Sequence, residues 1–579
     1  MPALHLLLLQ RMGGTGLKAA VIAVSLLIGF VARKVLKKRT SISEIFGKIP
    51  HDSRFHAFLI FMLSLGGRLA ILQERPVPVP AVHDEYSYLL AADTFAHWRL
   101  TNPTPEYWTH FETYQELMHP TYMSKYPPGQ GLALAAGQIL FHLPFAGVLL
   151  SCALFCVALY WALLALMPQR WALLGGLVAV IQITWLSAWN NDYWGGAMAA
   201  MGGCLFLGAA VRLSRRLTRL NAAVLGFSSF LLLVTRPYEG FLLAFPGIVW
   251  LAIKIVRMPK KKHLLSVLAV FLLVSTAGAT WLGYYNWRVT GKPLDLPASE
   301  LEHQCEPVPA FVFKPITEAK PCIVDDQKNQ YEKNDIASYL ESRTLKGFWG
   351  ATRNRFVGIW SYYGGIAFIL APLGILLCWR NKLLHWLVLL LAIMFIGWEA
   401  ESWIEMHYYA PAFAVVYAIA LLGLRAVCCW QRKRRVGEFL VFVSLLVFGI
   451  MAAIRVSPAP IRNMLDKPNR ETPLFVQSKE AVLSVLQSIP GKHLVLVHYP
   501  KNHDPGAEWI YNTHNIPGQG VIWAHDLDPF DPNQPLICHY SDRHVWLINP
   551  QDTEALSVAQ AKEALKPIDT AKLCAPSAY

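Results

Sequence analysis

The 579-residue chain is 54% hydrophobic and 16% charged, against about 25% charged in an average soluble protein, which excludes an ordinary soluble enzyme. Its 52 Lys and Arg against 38 Asp and Glu leave a formal charge of +14, a balance that in a soluble protein points to nucleic acid. Here the charges sit between long apolar runs, so the expectation is a polytopic membrane protein, with no nucleic acid as partner.

A helix needs roughly 20 apolar residues to cross a bilayer core about 30 Å thick. Runs of about that length recur at 17–36, 55–72, 147–166, 171–189, 194–213, 222–235, 240–256, 264–287, 356–379, 383–398, 408–430 and 436–454. The basic clusters, Arg33 to Arg39, Arg212 to Arg219, Lys260 to Lys262, Arg380 with Lys382, and Arg432 to Arg435, assign their loops to the cytoplasm. The other loops alternate correctly provided that the short run 129–142, flanked by prolines, does not cross. The expectation is 11–12 transmembrane helices. Residues 1–54 form a hydrophobic segment and basic linker, 55–456 the membrane core with outer loops 73–146 and 288–355, and 457–579 a small soluble α/β domain on the outer side. Run 17–36 reads as a membrane anchor, with its crossing left open.

Of ten cysteines, Cys305, Cys322, Cys538 and Cys574 fall in outer segments, two in each. An oxidising outer face would pair them as Cys305–Cys322 and Cys538–Cys574. No Asn-x-Ser/Thr sequon occurs, which hints at a bacterial cytoplasmic membrane with a periplasmic tail.

Four polar motifs fall on the expected outer side. In chain order, His83-Asp84-Glu85-Tyr86-Ser87-Tyr88 opens a helix with an apolar face at Leu89, Ala92, Phe95 and Ala96, with Asp84 placed to cap it. Ser124-Lys125-Tyr126-Pro127-Pro128-Gly129 opens the non-crossing helix. Trp189-Asn190-Asn191-Asp192-Tyr193-Trp194 is a tight turn between two apolar runs, and Thr235-Arg236-Pro237-Tyr238-Glu239-Gly240 is another. Taken singly, each has a structural explanation: a cap, a snorkelling lysine, an aromatic belt or a local ion pair. Together they place acids and cations on one face, where ionisable groups near membrane depth are functional candidates. A carboxylate can take the proton of an acceptor hydroxyl, and a Lys or Arg can hold a lipid phosphate as it leaves. Asp84 and Asp192 suit the first role, Lys125 and Arg236 the second.

These motifs resemble the GT-C glycosyltransferases, in the branch of the protein O-mannosyltransferases and the lipid A aminoarabinose transferase. The resemblance covers about 55–430 and rests on Asp84-Glu85, on Lys125-Tyr126-Pro127-Pro128, and on Glu405-Met406-His407-Tyr408-Tyr409-Ala410-Pro411, where His407 stands in the position of an Arg. It implies a polyprenyl-phosphate sugar donor, inverting transfer to an acceptor hydroxyl, and Asp84 as general base with Glu85 beside it and Asp192 in the second outer loop. Lys125, Arg236 and His407 are the implied phosphate ligands. Tyr88, Tyr126, Tyr193, Trp194, Tyr238 and Glu239 are expected to line the pocket. The chain departs from the aminoarabinose transferase type at Ser87, where that type has Arg, and at Tyr126, which interrupts a contiguous Lys-Pro-Pro. No cofactor is required by this branch, although a divalent cation shared by Asp84 and Asp192 stays open. The acceptor is an unidentified glycan, lipid or protein. The alternatives are a lipid or polysaccharide transporter, which would place charges at the midplane and show repeats, and a non-catalytic envelope assembly protein.

Overall fold

The structure is a computed structural model that describes residues 17–31, 52–259, 261–304, 306–316, 335–403, 405–430, 434–463, 472–500, 503–528, 532–550 and 554–574. It divides into two compact units, one of residues 1–78, 145–280 and 348–469, the other of 79–144, 281–347 and 470–579.

The first unit is helical. Among the described residues of the chain, five helices are long and apolar enough to cross a membrane: Pro144–Leu164, Pro237–Val256, Leu264–Thr290, Ala410–Cys428 and Arg435–Val456. Shorter apolar helices, Leu17–Val31, Ala197–Leu213, Arg219–Leu233 and Lys382–Trp398, fill other expected runs. Two further runs are interrupted. The run expected at 356–379 is the helix Leu345–Tyr363 followed by 365–377, bent by 95° at Gly364-Gly365. The run at 171–189 leaves the α-helix at Ala179 and continues as a π-turn over Val180–Trp185. The expected count of 11–12 therefore includes short and broken helices beside the five full-length ones. At the centre, Ala410–Cys428 is 83% buried, while Leu264–Thr290 is 11% buried, as expected of a helix that faces lipid. Leu17 and Val21 pack against Val443, Val447 and Met451, so the first apolar run is part of the bundle's apolar packing.

Arg68, within an apolar run, is fully buried. Its guanidinium donates to the carbonyls of Asn190 (3.2 Å), Arg75 (2.9 Å) and Pro76 (3.3 Å) and to Asn191 Oδ1 (3.0 Å). A buried cation is tolerated where it is well hydrogen-bonded, and here four of its five N–H donors are engaged and fix the turn that carries Asp192.

In the second unit the helices His83–Ala96 and Pro128–Phe141 pack on each other. A Cβ at Gly131 would stand 2.7 Å from the Ala91 Cβ, so the close approach requires glycine there. Two short strands, β1 (Glu116–Leu117) and β2 (Met123–Ser124), pair antiparallel between them. The chain end forms a sheet of β3 (His493–Val497), β4 (Val521–His525), β5 (His544–Ile548) and β6 (Lys566–Pro567) in the order β4-β3-β5-β6. β3 is parallel to both neighbours, and β6 is antiparallel to β5. Parallel strands bury both faces, and all five residues of β3 are buried. On one side Leu494, Leu496, Ile522 and Val545 share a core with Leu90, Phe111, Met118 and Tyr122 of the first loop. The tail thus folds together with the outer-loop segments as one unit. Cys538 and Cys574 are disulfide-bonded; the pairing expected for Cys305 and Cys322 lies outside the described residues.

Candidate functional site

In the second unit the helix beginning at His83 does not use Asp84 as its cap. The N-cap residue is Val82, and the buried Glu85 turns back so that its Oε2 accepts from the backbone N–H groups of Ala81 (2.8 Å) and Val82 (3.2 Å). Those donors would otherwise be orphaned at a helix start. With capping done by Glu85, the Asp84 carboxylate is directed elsewhere and accepts a hydrogen bond from the Tyr126 hydroxyl. Tyr126 is the residue that interrupts Lys-Pro-Pro, and its ring stacks on Tyr88 at 4.4 Å and 20°. Asp84 and Tyr88 are four residues apart and share a helix face, so one tyrosine engages both.

Ser87 accounts for the other departure. Its hydroxyl donates to the Gln115 carbonyl (2.6 Å) and contacts Ser124 Oγ at 2.7 Å, while Ser124 Oγ accepts from the Tyr126 N–H at 3.2 Å. These bonds lock the segment 124–126 against the helix that holds Asp84. Lys125 Nζ pairs with Glu306 Oε1 at 2.5 Å, both side chains being under one-fifth exposed. Glu306 follows directly on Cys305 in a segment without periodicity, and no sequence signal singled it out.

In the first unit Asp192 is buried, 1% exposed. Tyr193 donates to the Pro78 carbonyl at 3.0 Å, and Trp194 lies 5.5 Å from the His407 ring. Gly196 turns the chain at φ +118°, where a Cβ would meet the Trp189 ring at 2.4 Å. The Arg236 guanidinium lies 3.9 Å over the Tyr408 ring and 3.8 Å from Glu239 Oε1, and Tyr238 donates to the Gly397 carbonyl at 2.9 Å. Burial, with the charge of Arg236, holds His407 well below the usual histidine range.

Glu401 joins this group. Burial and the nearby Glu239 push its carboxyl up to about 9. Beside it, Arg355 pairs with Glu399 and donates to the Glu401 carbonyl at 3.2 Å, and Thr352 donates to Glu399 at 3.1 Å. The acids Glu399 and Glu401 close an apolar run, the kind of ionisable group at a span end that marks a candidate site; that signal was present in the sequence and unused.

Asp84, Glu85, Tyr88, Lys125 and Tyr126 thus come together in one unit, and Trp194, Arg236, Tyr238, Glu239 and His407 are carried by the other, which also holds Asp192 and Tyr193. The first set holds a carboxylate that accepts from a tyrosine hydroxyl and a lysine paired with an acid. The second combines a fixed guanidinium with buried acids and a neutral histidine.

No protein-family profile matches the sequence, and no curated protein matches it. Solved structures match at low identity. The apo oligosaccharyltransferase of Archaeoglobus fulgidus matches at 14% identity and a TM-score of 0.46, over 86% of this chain and 69% of that one. Apo ArnT from Cupriavidus metallidurans matches at 12% identity and 0.47, over 86% and 93%. The same protein bound to undecaprenyl phosphate matches at 12% and 0.44, over 78% and 84%.

Proposed function

We propose that the chain is a membrane glycosyltransferase that moves a sugar from a polyprenyl-phosphate donor to an acceptor hydroxyl, with Asp84 as general base. The observation that carries this reading is the Asp84 carboxylate, released from helix capping by Glu85 and bonded to the Tyr126 hydroxyl. An acceptor hydroxyl entering in place of the tyrosine hydroxyl meets the same carboxylate.

In the reaction the acceptor proton passes to Asp84 as the acceptor oxygen attacks the anomeric carbon. The bond from that carbon to the phosphate oxygen breaks, and its electron pair leaves with the lipid phosphate. Attack opposite to the leaving phosphate inverts the anomeric centre. Lys125, drawn from Glu306, is assigned to the developing phosphate charge, a role in which a placed cation is worth several kcal/mol. In the other unit, Arg236 is held in place by Tyr408 and Glu239. Tyr88 and Tyr126 supply an aromatic face for a sugar. The protein is placed in a bacterial cytoplasmic membrane with residues 457–579 on the periplasmic side, and its acceptor is an envelope glycan, lipid or protein.

The test is transfer by the purified protein, given labelled polyprenyl-phosphate sugars and an envelope extract. Label should move from lipid to acceptor, with an anomeric configuration opposite to that of the donor. Passage of the lipid across a proteoliposome bilayer without transfer would instead identify a transporter.

A further inference from the structure

A second cluster lies at the far end of the helix that carries Asp84. Asp93 is in its last turn, and His97, four residues on, is its C-cap. His514, from the chain's final segment, reaches both. Its Nδ1 lies 2.6 Å from Asp93 Oδ2, and its backbone N–H donates to the same oxygen at 3.1 Å. The other carboxylate oxygen, Oδ1, accepts from Gln138 Nε2 at 3.0 Å. The His97 and His514 rings are 4.0 Å apart, and one ligand atom from each of the three residues lies within 4.8 Å of the other two.

We propose that Asp93, His97 and His514 form a divalent-metal site, and that the metal class it takes is Zn²⁺. Two imidazoles and a carboxylate are borderline donors of the kind that zinc prefers, and hard cations such as Mg²⁺ take oxygen ligands instead. Zinc–ligand bonds of about 2.0–2.1 Å set tetrahedral donors about 3.3 Å apart, so the 2.6 Å Asp93–His514 contact would open slightly while His97 closes on the pair. The His97 side chain, 51% exposed, has room to turn and do so. Three protein ligands leave a fourth position for water or a further group. Gln138 already orients the carboxylate from behind, the role of an outer-shell partner in a metal site. His97 already contacts Asp93, its Nδ1 lying 2.8 Å from the backbone carbonyl and 3.5 Å from Oδ1, and a metal would draw all three side chains together.

The site joins residues 93 and 97 to residue 514 within one unit. An ion there would fasten the chain's final segment to the helix that begins with His83-Asp84. It is independent of the role assigned to Asp84.

The test uses the full chain, free of any histidine tag, stripped with a chelator and titrated with ZnCl₂ against a chromophoric competitor. One Zn²⁺ per chain is expected. D93N, H97A and H514A should each weaken binding by more than about 100-fold, and Q138A by about 10-fold, as outer-shell losses do. H498A, outside the cluster, should bind as wild type does. H97A removes a half-exposed ring, so its melting in chelator should match that of the wild type and show that the loss is one of ligation. Absence of stoichiometric Zn²⁺ binding by the wild type, or undiminished binding by H97A and H514A, would overturn the proposal.

Discussion

At the scale of single residues, adjacent acids have separate tasks. Glu85 is buried and spends its carboxylate on two backbone N–H groups, while Asp84 meets a hydroxyl. Loss of a capping side chain costs about 0.5–2 kcal/mol, so E85A should lower the melting temperature of the purified protein by a few degrees and leave measurable transfer. The sequence showed that an acid pair opens this helix, but not which member caps it, because both lie within reach of the helix start. Lys479 makes a second residue-scale prediction. It is buried, donates to the Trp509 carbonyl at 2.7 Å, and lies 5.1–5.7 Å from the rings of Tyr86, Tyr511 and Trp523. Burial lowers its pKa from 10.5 to about 7, against the opposing charges of Glu508 and Glu116. Between pH 7 and about 10.5 the unfolded chain then binds the proton that the folded chain has shed, so this group makes stability rise with pH across that window. Melting temperatures from pH 7 to 9 should rise more steeply in wild type than in K479M; parallel curves would contradict the assignment.

At the scale of elements, the non-crossing helix expected at 129–142 is observed as Pro128–Phe141, too short at 14 residues to span a bilayer. Its seat on the helix His83–Ala96 depends on Gly131 facing Ala91 and Phe95. Overpacking a close contact costs about 1–3 kcal/mol. G131V should therefore lower both melting temperature and transfer, since the displaced helix start carries Tyr126; unchanged values for both would show that the contact is slack. Apolar runs located the long helices of the first unit, and the tail was expected only as a small α/β domain. The runs did not reveal the break at Gly364-Gly365 or the π-turn at Val180–Trp185. Composition registers hydrophobicity along a run, whereas a bend depends on what the neighbouring helices leave room for.

At the scale of the whole molecule, the +14 charge reads as orientation. The five basic clusters expected on the cytoplasmic side hold 18 Lys and Arg and no acid, which would leave the remainder of the chain net acidic. The cations on the proposed reactive side are local ones, Lys125 beside Glu306 and Arg236 beside Glu239. Of the two expected disulfides, Cys538–Cys574 is formed. The sharing of one core by the tail and the first loop was not legible. Leu90 and Phe111 pack with Leu494 and Ile522, and alternation along a strand says which face is buried without saying by what. For the same reason Glu306, His514 and Arg355 entered only with the structure, since their partners lie far away in sequence.

The central claim is that Asp84 accepts the acceptor proton in a sugar transfer. Its most direct test measures the initial rate of label transfer from polyprenyl-phosphate sugar to acceptor by purified wild type and D84N, matched for yield and melting temperature. A positioned general base contributes about 10²–10⁴-fold, so D84N should fall by at least about 100-fold with the donor still bound. Transfer by D84N at the wild-type rate would contradict the account.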